Sequence, residues 1–193
     1  MPKTETDFPL TMAQVNALLQ LALRTYHTQA DQCFKVNAPL AGCVMAGATV
    51  EAVLTAVTCL LFDEALKTGK IPKYKHGKRK GENQDLLDWQ FFHLLKVAKK
   101  AKWLPKQLTL DETLDRRIVK SPVPTNSIRQ VRHLVHPALY LKNRSGKEYT
   151  LDELQTLYAT CHAAYDCLIK ELCRRYPNLP SVKSIQNFRT VPS

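Results

Sequence analysis

The chain has 193 residues, 45% of them apolar and 23% charged, with a formal net charge of +11. That length suits one domain with its own hydrophobic core and removes the need for disulfide staples or a structural metal. The apolar balance is ordinary for a globular protein, whereas the charge calls for an anionic partner, nucleic acid before an acidic membrane surface.

The opening residues MPKTETDFPL lack the basic-then-apolar layout of a signal peptide, so a cytoplasmic protein is expected. Helical periodicity then dominates. A first helix is predicted from about Thr11 to Cys33, with Thr11 as N-cap, Gln14 at capping-box spacing, and Leu18, Leu19, Ala22 and Tyr26 as its apolar stripe. A second is predicted from about Pro39 to Lys67, stopped by Gly69. Residues 40–62 within it match the length of a bilayer crossing, but Glu51 lies near their centre and no second such segment follows. The reading is the central buried helix of a bundle, with Gly42, Ala46, Gly47 and Ala48 letting neighbours approach closely.

A basic loop follows over 67–82, carrying Lys67, Lys70, Lys73, Lys75, Lys78, Arg79 and Lys80 before the first acid, Glu82. A third helix is predicted from about Gln84 to Trp103. Leu86, Leu87, Phe91, Leu94, Leu95 and Ala98 form its buried face, and Lys96, Lys99, Lys100 and Lys102 gather near its end, where cations suit the helix dipole. SPVPTN reads as a loop, with a fourth helix from near Asn126 that must kink or end around Pro137. KNRSGKEYT reads as a turn. Thr150 with Glu153 opens a long fifth helix running to about Tyr176, with Leu154, Leu157, Tyr158, Cys161, Tyr165, Leu168 and Leu172 on its core face. The expected architecture is an all-α bundle of about five helices over residues 1–176, with an irregular tail over 177–193.

The six cysteines, Cys33, Cys43, Cys59, Cys161, Cys167 and Cys173, fall in apolar helical patterns with no CxxC pair. They read as buried reduced thiols of a cytosolic protein. No His or Asp cluster is found at zinc spacing, and no metal or other cofactor is expected.

The stretch SIRQVRHLVHPAL, residues 127–139, carries the chemistry. At about 100° per residue Arg129, Arg132 and His136 share one helix face, flanked by His133, while Ile128, Val131 and Val135 are spaced for burial. A solvated basic face is the plain explanation. Against it, Arg129 falls in the first predicted turn, where a cation opposes the dipole and an anion is preferred. An arginine at a helix N-terminus would hold a phosphate. His136 precedes Pro137, which fixes it at a kink.

These residues, in a mostly helical chain with an apolar second helix, resemble the HEPN superfamily. Its signature is an arginine, commonly followed by a polar residue, then a histidine after four to six intervening positions. Arg129-Gln130 to His136 has six intervening residues, and Arg132-His133 to His136 has three. AGATVEAVLTAV resembles the family's small-residue helix with an embedded glutamate, and LLDWQFFHLLKVAKKAKWL the helix before the motif in some bacterial members. The resemblance covers about residues 10–176. It implies a helical bundle that commonly dimerises. Many members are metal-independent endoribonucleases, including toxins and defence effectors, whose motif helices meet in a shared cleft; others are silent partners of nucleotidyltransferases or binding modules.

The residue types suit that chemistry. RNA cleavage without metal uses the 2′-hydroxyl as nucleophile, and a histidine titrating near neutrality can move the proton on or off the reacting oxygens. An arginine fork can clamp the phosphate and stabilise transition-state charge. His136 is therefore the candidate acid/base and Arg129 or Arg132 the candidate clamp, with Gln130, His133 and Glu51 in support. A buried Glu51 needs a cationic partner, and Arg129 or Arg132 is the natural one. Lys73, Lys75, Lys78, Arg79 and Lys80 would track RNA phosphates, with Tyr74 beside His76 stacking on a base. His93 and His162 read as ordinary core or surface histidines. The partners expected are RNA or a nucleotide, a second copy of the chain, and an antitoxin or nucleotidyltransferase. The competing readings are a silent HEPN-like module binding RNA, nucleotide or protein, and a basic helical scaffold.

Overall fold

The structure is a computed structural model. It describes residues 9–114, 117–135 and 147–180; within 111–121, and at 132 and 135, it describes backbone alone. The described residues are mostly helical, with one two-stranded sheet.

The first predicted helix is α1 (Met12–Gln20), which continues through a π-helical segment (Leu21–His27) into α2 (Thr28–Lys35). Its capping box forms. The Gln14 N–H donates to Thr11 Oγ1 at 3.3 Å, and the Thr11 N–H donates to Gln14 Oε1 at 2.9 Å. After α2 the chain turns at Asn37, whose φ of 58° is left-handed and least costly for Gly and Asn.

α3 (Pro39–Leu60) starts with proline in its first turn, where the missing N–H costs nothing. It contacts α1, the π segment, α2 and the later helix at Phe91–Lys100, and is therefore apolar on nearly every side. It is long and apolar enough to cross a membrane, but 78% of its most apolar window is buried within the protein. Its glycines let neighbours in as expected. A Cβ on Gly42 would lie 2.3 Å from Phe34 Cδ2, and one on Gly47 would lie 2.2 Å from Val131 Cγ1. The predicted continuation to Lys67 is broken at Leu61 (φ −109°, ψ 33°), so Phe62–Lys67 forms a separate α4 before Gly69 (φ 63°).

The third predicted helix is shorter than expected. Leu86–Asp88 is a 3-10 turn and α5 spans Phe91–Lys100. Trp89 and Gln90 are extended, which buries Trp89 and lets its indole N–H donate to the Gln84 carbonyl at 3.1 Å. Leu87, assigned to the buried face, is 63% exposed. Between α5 and the motif, where no strand was expected, β1 (Gln107–Leu114) pairs antiparallel with β2 (Arg117–Pro124), Gln107 opposite Pro124 and Leu114 opposite Arg117. Leu108 and Leu110 are buried while Gln107 and Thr109 are exposed, the period-two pattern of a strand. The loop expected at SPVPTN is thus mostly strand, closing in a 3-10 segment (Thr125–Gln130) that leads to α6 (Val131–Val135).

The last helix, α7 (Leu151–Arg175), has the expected Thr150–Glu153 capping box and lies along α3. Leu154, Leu157, Cys161, Tyr165, Leu168 and Leu172 are buried as predicted, while Tyr158 is half-buried. Of the tail, 177–180 are described and Leu179 is buried; the rest lies outside the described residues. The cysteines are free, but only Cys43, Cys59 and Cys161 are buried; Cys33, Cys167 and Cys173 are half-buried. Burial pushes the Cys43 thiol up to about 12, so it stays protonated.

The C-terminal end of α7 is tied to α4. Glu64 accepts from the Trp103 indole at 3.0 Å and from the Arg175 guanidinium, and Arg175 also binds Glu171 at 2.5 Å. Burial raises the Glu64 pKa, but Trp103 and Arg175 more than offset it and hold the group below its usual value. Its contribution is present above the ordinary glutamate range near ~4.3 and is lost as pH falls through the lowered folded value. The melting temperature of Glu64→Gln should therefore fall below wild type at pH 7 and converge with it in strong acid.

Candidate nucleic-acid interface

α5 is amphipathic. Phe91, Leu94, Leu95, Val97 and Ala98 are buried, which turns Phe92, Lys96, Lys99 and Lys100 toward the other side. The hairpin then returns the chain to α5. The Thr125 N–H donates to the Lys106 carbonyl at 3.1 Å and its hydroxyl to the Pro105 carbonyl at 2.5 Å, pinning the start of the 3-10 segment at the hairpin base. Ile128 and Val131 are buried, and Arg129 and Gln130 are exposed.

The consequence is a shared cationic face. The Arg129 guanidinium carbon sits 4.6 Å from the Phe92 ring centroid and Lys96 Nζ lies 5.6 Å from the same centroid. Lys99 Nζ donates to Asn126 Oδ1 at 3.0 Å, joining α5 to the motif segment. Among the described residues, no carboxylate forms an ion pair with Arg129, Lys96, Lys99 or Lys100.

Two expectations about Arg129 change. It lies in the 3-10 segment ahead of α6 rather than in a first α turn, so the conflict with the helix dipole does not arise. Its guanidinium rests on Phe92, and among the described residues no ion pair joins it to Glu51; the alternative partner for Glu51, the Arg132 side chain, lies outside them. Arg132 follows one turn later on the backbone, with its side chain outside the described residues. His136 and Pro137 also lie outside them. His133 is half-buried, and burial first and then the charge of Arg129 lower its pKa, favouring a neutral imidazole at neutral pH.

Glu51 is half-buried and lines a cleft of about 260 Å³ with Leu18, Leu21, Tyr26, Thr55 and Trp89. It lies one turn beyond Gly47, the residue against which Val131 packs. α3 therefore carries the small residue that seats the motif helix and, on the next turn, the embedded acid.

In the basic loop, Lys73, Lys75, Lys78 and Lys80 are exposed, as is His76. Arg79 and Tyr74 depart from the expected role. Arg79 makes ion pairs with Asp85 at 2.8 Å and Glu82 at 3.0 Å, and its guanidinium lies 4.5 Å from the Tyr74 ring centroid. The Tyr74 hydroxyl donates to Asp88 at 2.6 Å. Tyr74 N donates to the Glu82 carbonyl, and Lys73 bridges to Asn83. The loop is thus folded back on itself, with Arg79 as its clasp rather than a free phosphate contact. Replacing Lys73, Lys75, Lys78 and Lys80 with alanine should weaken RNA binding and flatten its salt dependence; an unchanged slope of log K against log salt removes the loop from the binding surface. Arg79→Ala should instead increase proteolysis within 70–85.

The sequence reading missed one polar cluster. His27 and Asp31, four residues apart, meet His162 of α7, with one ligand-type atom of each within 4.8 Å of the others. The His-x3-Asp spacing was visible, but pairing it with a residue over 130 positions away needs the fold.

The chain matches no protein-family model, no curated protein and no solved structure.

Proposed function

We propose that the chain is an HEPN-type, metal-independent endoribonuclease that acts as a homodimer. The observation that carries this reading is the convergence of Arg129 and Lys96 on Phe92, free of acidic partners among the described residues and continuous with the motif. A phosphate on this face meets cations already held in place, and single-stranded bases stack on rings such as Phe92. Arg129 and Arg132 act as the phosphate clamp. His136 supplies the acid/base group, and a neutral His133 beside Arg129 is suited to accepting a proton. Cleavage proceeds by attack of the 2′-hydroxyl on the adjacent phosphorus, with loss of the 5′-oxygen. A toxin or defence effector restrained by an antitoxin or nucleotidyltransferase partner fits such an activity.

The second reading is a silent module that binds RNA, a nucleotide or a protein. It is favoured by the composition of the described face, which consists of binding groups. Incubation of purified protein with mixed RNA in EDTA separates the two. Cleavage supports the enzyme, and retention without cleavage supports the module. The homodimer reading is supported by cations that have no acidic partner among the described residues, since two such faces related by a two-fold axis can share one anion. Light scattering should give a dimer in the micromolar range; monomer alone throughout that range counts against it.

A further inference from the structure

We propose that His27, Asp31 and His162 form a binding site for a borderline first-row divalent cation, with zinc as the best fit, on elements separate from the Arg129 face. Two imidazoles and one carboxylate are ligands of intermediate softness. They suit Zn²⁺ or Co²⁺ better than calcium or magnesium, which want oxygen cages, or Cu(I), which wants sulfur. Three protein ligands leave a fourth position for water or a small anion.

The distances support a coordination site over a hydrogen-bonded pair. His162 Nε2 lies 3.6 Å from Asp31 Oδ1, too long for a hydrogen bond. That nitrogen is buried and has no hydrogen-bond partner. Two atoms each about 2.1 Å from a tetrahedral ion stand about 3.4 Å apart, so the His162–Asp31 pair has the spacing of one edge of a coordination tetrahedron, while the three ligand atoms, which lie within 4.8 Å of one another, need a small side-chain rotation to close on one ion.

The surroundings hold the ligands in place. Tyr158 donates its hydroxyl to Asp31 Oδ1, fixing the carboxylate. The His27 ring stacks on Tyr165 with centroids 4.8 Å apart, and the His162 ring lies 4.3 Å from Tyr158. Such outer hydrogen bonds and packed rings orient metal ligands. His27 closes the seven-residue π-helical segment, and π-helical turns inside α-helices recur at functional sites. The Asp31 side chain is 43% exposed, so the cluster meets solvent on its carboxylate side. Bound there, the ion would tie the first helical segment to α7.

The test uses tag-free full-length protein stripped with EDTA and titrated with Co²⁺ and then Zn²⁺. One Co²⁺ per chain should bind, with visible d–d bands of tetrahedral intensity, without thiolate-to-cobalt charge transfer, and with displacement by Zn²⁺. Zn²⁺ should raise the melting temperature. Tyr158→Phe should weaken binding by about 10–100-fold, as loss of an outer partner does, and Asp31→Asn, His27→Ala and His162→Ala should each weaken it further. Circular dichroism checks that each variant folds. Should a histidine variant unfold, Asp31→Asn at its half-exposed position decides the matter. No stoichiometric binding at micromolar Co²⁺, a charge-transfer band showing that cysteines hold the ion, or unchanged affinity in Asp31→Asn overturns the site. None of these readouts depends on RNA cleavage, so this inference and the nuclease reading stand or fall separately.

Discussion

His136→Ala is expected to abolish RNA cleavage while lowering the melting temperature by only a few degrees. A proton-transfer group is needed in the transition state and not for folding, so its loss falls on turnover. A structural histidine would behave otherwise. Removing it would leave a buried partner unpaired, costing about 1–3 kcal/mol, or several degrees at roughly 2–4 °C per kcal/mol for a chain of this size. Arg129→Ala and Arg132→Ala divide the clamp. The arginine that holds the reacting phosphate should lose turnover nearly as severely as the histidine variant, because the groups act on one transition state. The other should lose mainly binding. Phe92→Ala offers a control built on the fold. It removes the ring beneath Arg129 and Lys96, so it should weaken RNA binding even though phenylalanine carries no charge. His133→Ala tests the neutral imidazole beside Arg129. A wild-type protein that cuts no RNA, with all three motif variants melting well below it, makes the motif a structural network.

The parts of the fold that were legible are those that local chemistry decides. Both capping boxes, Thr11–Gln14 and Thr150–Glu153, form at the expected positions because a hydroxyl and an amide or carboxylate three residues apart satisfy the first helical N–H groups without outside help. The burial of α3 followed from its apolar residues on nearly every face. The parts that were missed depend on tertiary context. Leu86 and Leu87 extend the apolar pattern of α5 backward, yet that segment leaves the helix to bury Trp89 and to present Asp85 to Arg79. The β1 alternation of Gln107, Leu108, Thr109 and Leu110 is four residues long, and Pro122 and Pro124 argued against a strand at β2. A two-stranded sheet is all edge, which is where proline is tolerated. At the interface, the basicity of Arg129 was legible but its seat on Phe92 was not, since that contact spans 37 positions and needs the hairpin to bring the two together. The same holds for Tyr74: an exposed ring in a basic loop invites a base, but Arg79 of the same loop already covers it.

Gly47→Ala is expected to damage function through packing, without touching a charged group. A Cβ at this position would stand 2.2 Å from Val131 Cγ1, closer than real Cβ atoms come, and 3.0 Å from Val131 Cβ, at the tight end of real contacts. Val131 cannot swing clear, because it is buried and β-branched, with one strongly preferred rotamer in a helix. The strain must move α6 away from α3. Overpacking of this kind costs about 1–3 kcal/mol, so the melting temperature should drop by several degrees even though alanine favours the helix over glycine by roughly 1 kcal/mol. The displacement is carried to Arg129 and Arg132, which flank Val131 in the chain. RNA cleavage should therefore fall further than the loss of stability explains, measured at a temperature where the variant is still fully folded. Val131→Ala placed on Gly47→Ala removes the clashing methyl groups and should restore most of the activity. A Gly47→Ala protein that is more stable than wild type and cuts RNA at the same rate would mean that the α3–α6 contact yields freely and does not set the position of the motif.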